Sequence, residues 1–505
     1  VTGKMPVNNF PYIHLMDDDA TEYLLCEKSI VNTEKNYIRM KAINLHHWQP
    51  DPFYDSENAE INDGNWQNMW KRIAAMNSVI YQVNEMRGKE DDKVLCNKVE
   101  GEARFLRATQ YHYLASYFKD VSLVTTVLSG EEANTVKRST QSEILAWCAT
   151  EFKEAAADLP RFKDLASSET GRACKQAALA FLGRTCMLQK DWASGAAAYK
   201  EIIDYGDNDI HTSYPELFWP GTGVGNKENI FYIAYLENYF GCGMPQQVLP
   251  AKDGGWSLSN PSAGLFESYE FVDGTPFSYD DPRYNPNNLG ENRDPRLDYT
   301  LFYNGADFMG TTYRMSPDYE ASAKERLDYS SEASKTGFMW RKYFDENPIN
   351  DIQSYSAVTP IIRYAEVLLG YLECLIEGGE VIDKPILDAT INKVRGRAGV
   401  EMPPITETDP SILRERLRNE RRIELAYEGI RYWDLLRWEI ADKVLVGEVW
   451  GAPYPSSTTY ASSTKEIDPT GNCRWYVGRR DFRNPQDYKW PIPLSEQNIN
   501  PNLRD

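Results

Sequence analysis

Apolar positions recur at intervals of three and four from Trp66 to about Tyr205, so this part of the chain predicts a succession of amphipathic helices. In NWQNMWKRIAAMNSVIYQVNEM the stripe is Trp66, Trp70, Ile73, Met76 or Asn77, and Ile80. GEARFLRATQYHYLASYFKDV repeats it with Ala103, Leu106, Ala108, Tyr111, Leu114 and Tyr117 or Phe118. A third helix, SEILAWCATEFKEAAADLP, is predicted to open on Ser142 and to stop before Pro160, since proline disfavours helical backbone in the residue ahead of it. From about Pro215 to Tyr355 the pattern dissolves into Gly, Pro, Asn, Asp and aromatics, which predicts long ordered loops with short strands such as ENIFYIAYL. Helical periodicity then returns, and the tail from about Gly447 to Asp505 again predicts loop.

One segment carries a repeat. CKQAALAFLGRTCMLQKDWASGAAAYKEIIDYG fits the tetratricopeptide pattern of two packed helices, with Leu182-Gly183 as the Leu-Gly pair, Gly195 as the small residue of the second helix and Tyr199 as the large residue after it. Small residues let the helices approach, and the aromatic fills the space beside them. A single pair cannot bury both of its faces, so neighbours must stack on it. A second candidate pair is PIIRYAEVLLGYLECLIEGGE followed by PILDATINKVRGRAGV.

Composition narrows the function classes. With 75 acidic against 55 basic residues the 505-residue chain has a net charge of -20, which repels phosphate backbones and argues against nucleic-acid binding. No apolar run is long enough to span a bilayer. The sequence starts at Val1 without an initiator methionine, so a leader or anchor ahead of it is expected to have been removed. Its 8 cysteines form no CxxC pair; Cys174, Cys186 and Cys374 fall inside helical patterns and read as buried thiols rather than a zinc site or disulfide framework. GTGVG at Gly221 lacks the lysine of a phosphate loop. His46-His47 reads as a solvated loop pair, and no metal set or cofactor is assigned.

The densest chemistry lies in LRERLRNERRIELAYEGIRYWDLLRW. Glu420, Glu424 and Glu428 stand four apart, each expected to meet an arginine one turn away, and Gly429 releases the chain into a second short helix carrying Leu435, Leu436 and Trp438. Arginine's planar fork suits partly buried carboxylate pairing, so the stretch reads as a brace between helices rather than a catalytic centre. The same stretch resembles the signature of the SusD/RagB family of surface nutrient-binding lipoproteins. Further blocks follow in the family's order: the helix from Trp66 ending in Asn77, GEARFLRATQYHYLASYFKDV, NRDPRLDYTLF, PIIRYAEVLLGYLE, INKVRGRAG and WPIPLSEQNINPNL.

The resemblance implies a mostly α fold. Tetratricopeptide-type helix pairs, about 66–205 and 356–446, would form a superhelical scaffold within one body, 1–505, with loop-rich regions carrying short strands at about 206–355 and 447–505. It implies a non-catalytic protein on the extracellular face of the outer membrane that captures an oligosaccharide or peptide and passes it to a SusC-like TonB-dependent transporter. A lipid anchor would lie upstream of Val1, since Cys26 is too far inside a helical segment. Sugars need exposed aromatic platforms beside planar polar groups. By region and residue type, the expected ligand contacts are Trp48, Asp51, Tyr54 and Asn65 from the loop before the first helix, with Trp256 and Trp340 from the middle region. Two alternatives stand beside this one. The helix pairs could serve as a peptide-binding adaptor, or acidic pairs such as Asp17-Asp18-Asp19 and Asp280-Asp281 could serve an all-helical glycoside hydrolase.

Overall fold

In the computed structural model, which describes residues 20–22, 37–39, 63–87, 93–239, 241–257, 259–320, 322–327, 333–459 and 468–504, the predicted helical periodicity becomes a ladder of packed helices. Strands β1 (Ala20–Glu22) and β2 (Tyr37–Arg39) precede it. The ladder runs through α1 (Asp63–Met86), α2 (Lys93–Phe118), α3 (Gln141–Asp158), α4 (Lys175–Gln189) and α5 (Trp192–Tyr205), each packed on the next. The chain then leaves through strands β3 (Asn229–Ala234), β4 (Ser259–Pro261), β5 (Leu301–Tyr303) and β6 (Phe338–Trp340). It returns along β7 (Val358–Arg363) into α6 (Tyr364–Glu377), which docks on α5 as though nothing intervened. α7 (Pro410–Glu424), α8 (Arg431–Arg437), β8 (Gly447–Pro453) and β9 (Arg474–Asp481) complete the order.

Steric detail explains why α5 and α6 meet. A Cβ placed on Gly183 of α4 would sit 2.4 Å from the Tyr199 ring, and one on Gly370 of α6 would sit 2.9 Å from it. Tyr199 of α5 therefore occupies space that two Leu-Gly pairs, Leu182-Gly183 and Leu369-Gly370, leave open on either side. Arg184 adds a second tie, giving Glu366 two hydrogen bonds of 2.6 Å and the Ile361 carbonyl another of 2.6 Å.

Some predicted boundaries move. α3 starts at Gln141 because Thr140, not Ser142, is its N-cap: Thr140 accepts from the Glu143 amide while the Glu143 carboxylate accepts from the Thr140 amide. The first helix does not end at Asn77. That side chain is buried, accepting from Arg107 at 2.7 Å and donating to the Val124 and Thr126 carbonyls, so it fastens α1 to α2 and the segment after it.

The tail is not loop throughout. β8 and β9 form an antiparallel pair, and β2 joins β9 in parallel register. Isolated Trp450, Trp475 and Val477 showed no helical period, and pairing with a partner 20 or more residues away leaves no local mark. Elsewhere the sheets are small: β3 with β7, β5 with β6, and β4 with β1.

The brace expected between helices is present, with different partners. Glu420 and Glu424 do not pair along their own helix. Arg296, more than a hundred residues earlier, reaches Glu420 at 2.5 Å and Glu424 at 2.9 Å; Arg363 reaches Glu424 at 2.9 Å, Glu228 at 2.6 Å and Glu428 at 2.7 Å. Arg397 bridges Glu228 and Glu424, and Arg395 bridges Glu420 and Glu270. Burial would push the Glu424 carboxyl up, but Arg397, Arg363 and Arg296 outweigh it and hold it down at about 2. Behind it, Asp434 binds Arg421 and Arg437, and Glu373 binds Arg437 and the Trp438 indole. Cys174, Cys186 and Cys374 are buried free thiols, as read from their helical patterns; Cys96, Cys148 and Cys242 are buried and free as well, Cys473 is free and half-buried, and Cys26 lies outside the described residues.

Candidate ligand-binding site

Trp48, Asp51 and Tyr54 lie outside the described residues, and Asn65 is placed only by its backbone in the first turn of α1. The described elements on either side of them are β1, β2 and α1. β1 pairs antiparallel with β4, Glu22 opposite Ser259 and Ala20 opposite Pro261, while β2 is held by β9 in parallel register. The N-terminal segment is thus tethered to the strand that begins three residues after Trp256.

Trp256 sits at the exit of a tight turn. The 3-10 segment Ala251–Asp253 is closed by Gly254 at φ +81°, and the Trp256 amide then donates to the Gln246 carbonyl at 2.7 Å. The residue is half-buried. Lys252 donates to Thr311 at 3.0 Å and lies 4.1 Å above the Tyr313 ring, and the Tyr313 hydroxyl donates to Asp253 at 2.9 Å. Burial pushes the Asp253 carboxyl up despite that hydrogen bond and the nearby lysine. The turn is consequently rigid where it supports the indole.

Trp340 does not belong to the accessible set. Its side chain is fully buried, stacked on Tyr427 with centroids 3.8 Å apart, and its indole N–H donates to Ser259 at 3.0 Å. The expectation of a ligand contact there is corrected: as the last residue of β6, a strand buried along its whole length, Trp340 links Tyr427 to β4. It acts beneath the face rather than on it.

A ring that sequence reasoning passed over lies along the chain of contacts leading from Trp256. Tyr239 is 87% exposed at the tip of the loop after β3, with Asn238 at φ +67°. Glu237 and Asn238 donate their amides to Ser356 and Ser354, and in the same strip Gln246 donates to the Ile352 carbonyl. Tyr239, the 352–356 segment, Gln246 and Trp256 are therefore joined by consecutive contacts. The available signal was LENYFGCG, an aromatic set among turn formers, the same signal that singled out Trp256.

Chemically, the described residues of this strip offer ring surfaces and amide groups, and the one carboxyl pushed up beside Trp256, Asp253, is tied to the Tyr313 hydroxyl. A cavity of about 70 Å³ bounded by Trp219, Tyr299, Lys342 and Phe344 is sized for water, not for a sugar ring. Within it Lys342 is fully engaged, donating to Tyr214, the Ala426 carbonyl and Glu428, with burial pulling its ammonium down to about 8. Asp281 of the Asp280-Asp281 pair is held at about 2 by hydrogen bonds from Arg283, the wrong direction for a general acid. The Asp17-Asp18-Asp19 run lies outside the described residues. Among the described residues no cluster of three His, Cys, Asp or Glu could hold a metal, and no helix is long and apolar enough to cross a membrane.

Residues 227–505 match the family model described as the SusD family, and residues 13–187 match one described as starch-binding associating with outer membrane. The chain is similar to a SusD-like carbohydrate binding protein from Bacteroides fragilis whose crystal structure is known, with 59% identity, TM-score 0.90, and coverage of 98% of this chain and 93% of that one. It is 25% identical over 456 residues to SusD-like protein P25 of Formosa agariphila, covering 87% of this chain and 77% of the relative. A laminarin binding SusD-like protein shares the fold at TM-score 0.65 and 18% identity, covering 98% and 93%.

Proposed function

The chain belongs to the SusD family, and from that premise we propose that it binds an extracellular oligosaccharide at the outer-membrane surface and hands it to a SusC-like TonB-dependent transporter. It is not an enzyme; the family consists of non-catalytic glycan-binding proteins. The observation that carries the reading is the contrast between the closed Arg–carboxylate brace and the Trp256–Tyr239 strip, where Tyr239 is exposed and Trp256 is half-buried. The carbohydrate binding relative at 59% identity supports the ligand class. The match to a family described as associating with the outer membrane supports the location. Attachment would run through a lipidated residue ahead of Val1, with the transporter adding the hold that one acyl chain lacks.

We read residues 1–505 as one body, the helix ladder serving as scaffold and the region between α5 and β7 bearing the cargo face. Trp48, Asp51, Tyr54 and Asn65, ahead of or at the start of α1, are kept as proposed ligand contacts on residue type alone. Sugar C–H faces would lie on Trp256 and Tyr239 while Gln246 and the serines of the 352–356 segment meet hydroxyls.

Titration calorimetry with laminarin, xyloglucan and starch oligosaccharides tests this. Heat from at least one glycan, abolished by Trp256→Ala and weakened by Tyr239→Ala with the fold intact, is the expected result. Silence across the panel overturns the sugar assignment, and shortened products after prolonged incubation would restore the hydrolase alternative.

A further inference from the structure

Both rings proposed to meet a ligand stand next to a backbone position in the left-handed region. Asn238, ahead of Tyr239, has φ +67°, and Ser257, after Trp256, has φ +51°. Strain of this kind persists only where the surroundings over-determine it, and it gathers at ligand clamps. The two positions differ in how they tolerate it. Asparagine visits this region readily, because its short polar side chain bonds locally. Serine does so rarely, so something outside the residue must hold Ser257 there.

The holder is Asn260. Its side chain is fully buried in β4, and its Nδ2 donates to the Ser257 hydroxyl at 3.0 Å and to the Ser257 carbonyl at 3.3 Å. The Ser257 hydroxyl donates onward to the Met339 sulfur at 3.5 Å. Asn260 is itself fixed, since its Oδ1 accepts the Lys335 amide at 2.8 Å and its backbone is paired opposite Thr21 of β1. From the other side the Ser257 amide donates to the Leu249 carbonyl at 3.0 Å, and the space around that oxygen is closed: a Cβ on Gly255 would stand 2.0 Å from it. Ser257 is therefore gripped at both ends. Were it to relax to a negative φ, the peptide joining it to Trp256 would rotate against β4, and one of the two grips would break.

Taking Trp256 as the ligand-facing ring of the proposed function, we infer that Asn260 is a positioning residue for it: through Ser257, the buried carboxamide fixes the direction in which the indole is presented.

The experiment follows the full chain, labelled with fluorotryptophan, by fluorine NMR and by calorimetry with laminarin and xyloglucan oligosaccharides; the Trp256 resonance is the one that Trp256→Ala deletes. Asn260→Ala is expected to shift or broaden that resonance and to weaken glycan binding about tenfold, the scale of one lost hydrogen bond. Ser257→Gly added to it should bring both readouts back toward wild type, because glycine holds a positive φ without help. A residue that merely packs β4 would lower the unfolding temperature with the Trp256 resonance in place, and the added glycine would restore nothing. Should Asn260→Ala not fold, Asn260→Asp is read instead: it keeps the size and the acceptor for the Lys335 amide but, as a carboxylate, donates nothing to Ser257. An unmoved Trp256 resonance overturns the inference, as does wild-type affinity in Asn260→Ala or a double variant no better than the single one. No heat from any glycan with the unsubstituted chain overturns the proposed function instead, and the resonance then decides the clamp alone.

Discussion

The brace around Glu424 and the strip around Trp256 are built from similar residue types, and they behave in opposite ways. In the brace, each carboxylate meets guanidinium groups delivered from β7, α7 and the turns at 294–296 and 395–397, and water is excluded. In the strip, backbone hydrogen bonds fix the turns while Tyr239 is exposed and Trp256 is half-buried. Density of Trp, Tyr, Arg and Glu therefore says little about function until one knows which groups have found each other. Where carboxylates and guanidinium groups are buried against one another, the cluster fastens elements together; where rings are presented and the polar work is done by backbone, the surface is free to hold something else.

The sharpest way to break this comparison is Glu424→Ala. It strands Arg296, Arg363 and Arg397 in the interior, and removing one partner of a buried ionic cluster costs about 3–5 kcal/mol. Chemical denaturation should show that loss, and a change under about 1 kcal/mol would mean the brace is idle. Acid probes the same carboxylate without mutation. Its folded value, about 2, lies below its ordinary 4.5, so its contribution is complete above pH 4.5 and fades as the pH falls toward 2. Unfolding followed by circular dichroism should therefore steepen in that window, and Glu424→Gln should flatten it.

Gly183→Ala tests the scaffold beside the brace. The new methyl would press on the Tyr199 ring, an overpacking that costs about 1–3 kcal/mol by thermal unfolding. The strip should respond in the reverse sense. Trp256→Ala is expected to lower stability by about 1 kcal/mol or less while abolishing oligosaccharide binding in calorimetry. Smallest of all, Tyr239→Ala at a position 87% exposed should leave stability within about 0.5 kcal/mol and weaken binding only. A large stability loss from either ring substitution would erase the distinction between the two regions.

Trp340 shows where reading by residue type fails. It shares its segment with turn formers, as Trp256 does, yet it stacks on Tyr427 because β6 lies against β4 and turns the indole inward. Nothing within several residues of it encodes that contact. Tyr239 shows the converse, an exposed ring whose sequence surroundings were as suggestive as those of Trp256. The strands β8 and β9 went unseen because a sheet is made by partners far apart in the chain, whereas α4 and α5 were visible because their period, their Leu-Gly pair and Tyr199 lie within one short window.

Taken by itself, the amino-acid sequence determined the helices, the helix-pair packing of α4 on α5, the buried thiols, the family, and the fact that arginines and carboxylates near Tyr427–Trp438 pair rather than react. These are local properties: periodicity, small residues at close approaches, and a cation whose geometry matches a carboxylate. Tertiary structure alone decided which arginine meets which glutamate, that the ladder closes across the region between Tyr205 and Tyr364, and that Trp340 is inside while Tyr239 is out. The reason is that burial and ion pairing are settled by which surfaces meet in space, and here those surfaces are brought together from segments 27 to 169 residues apart.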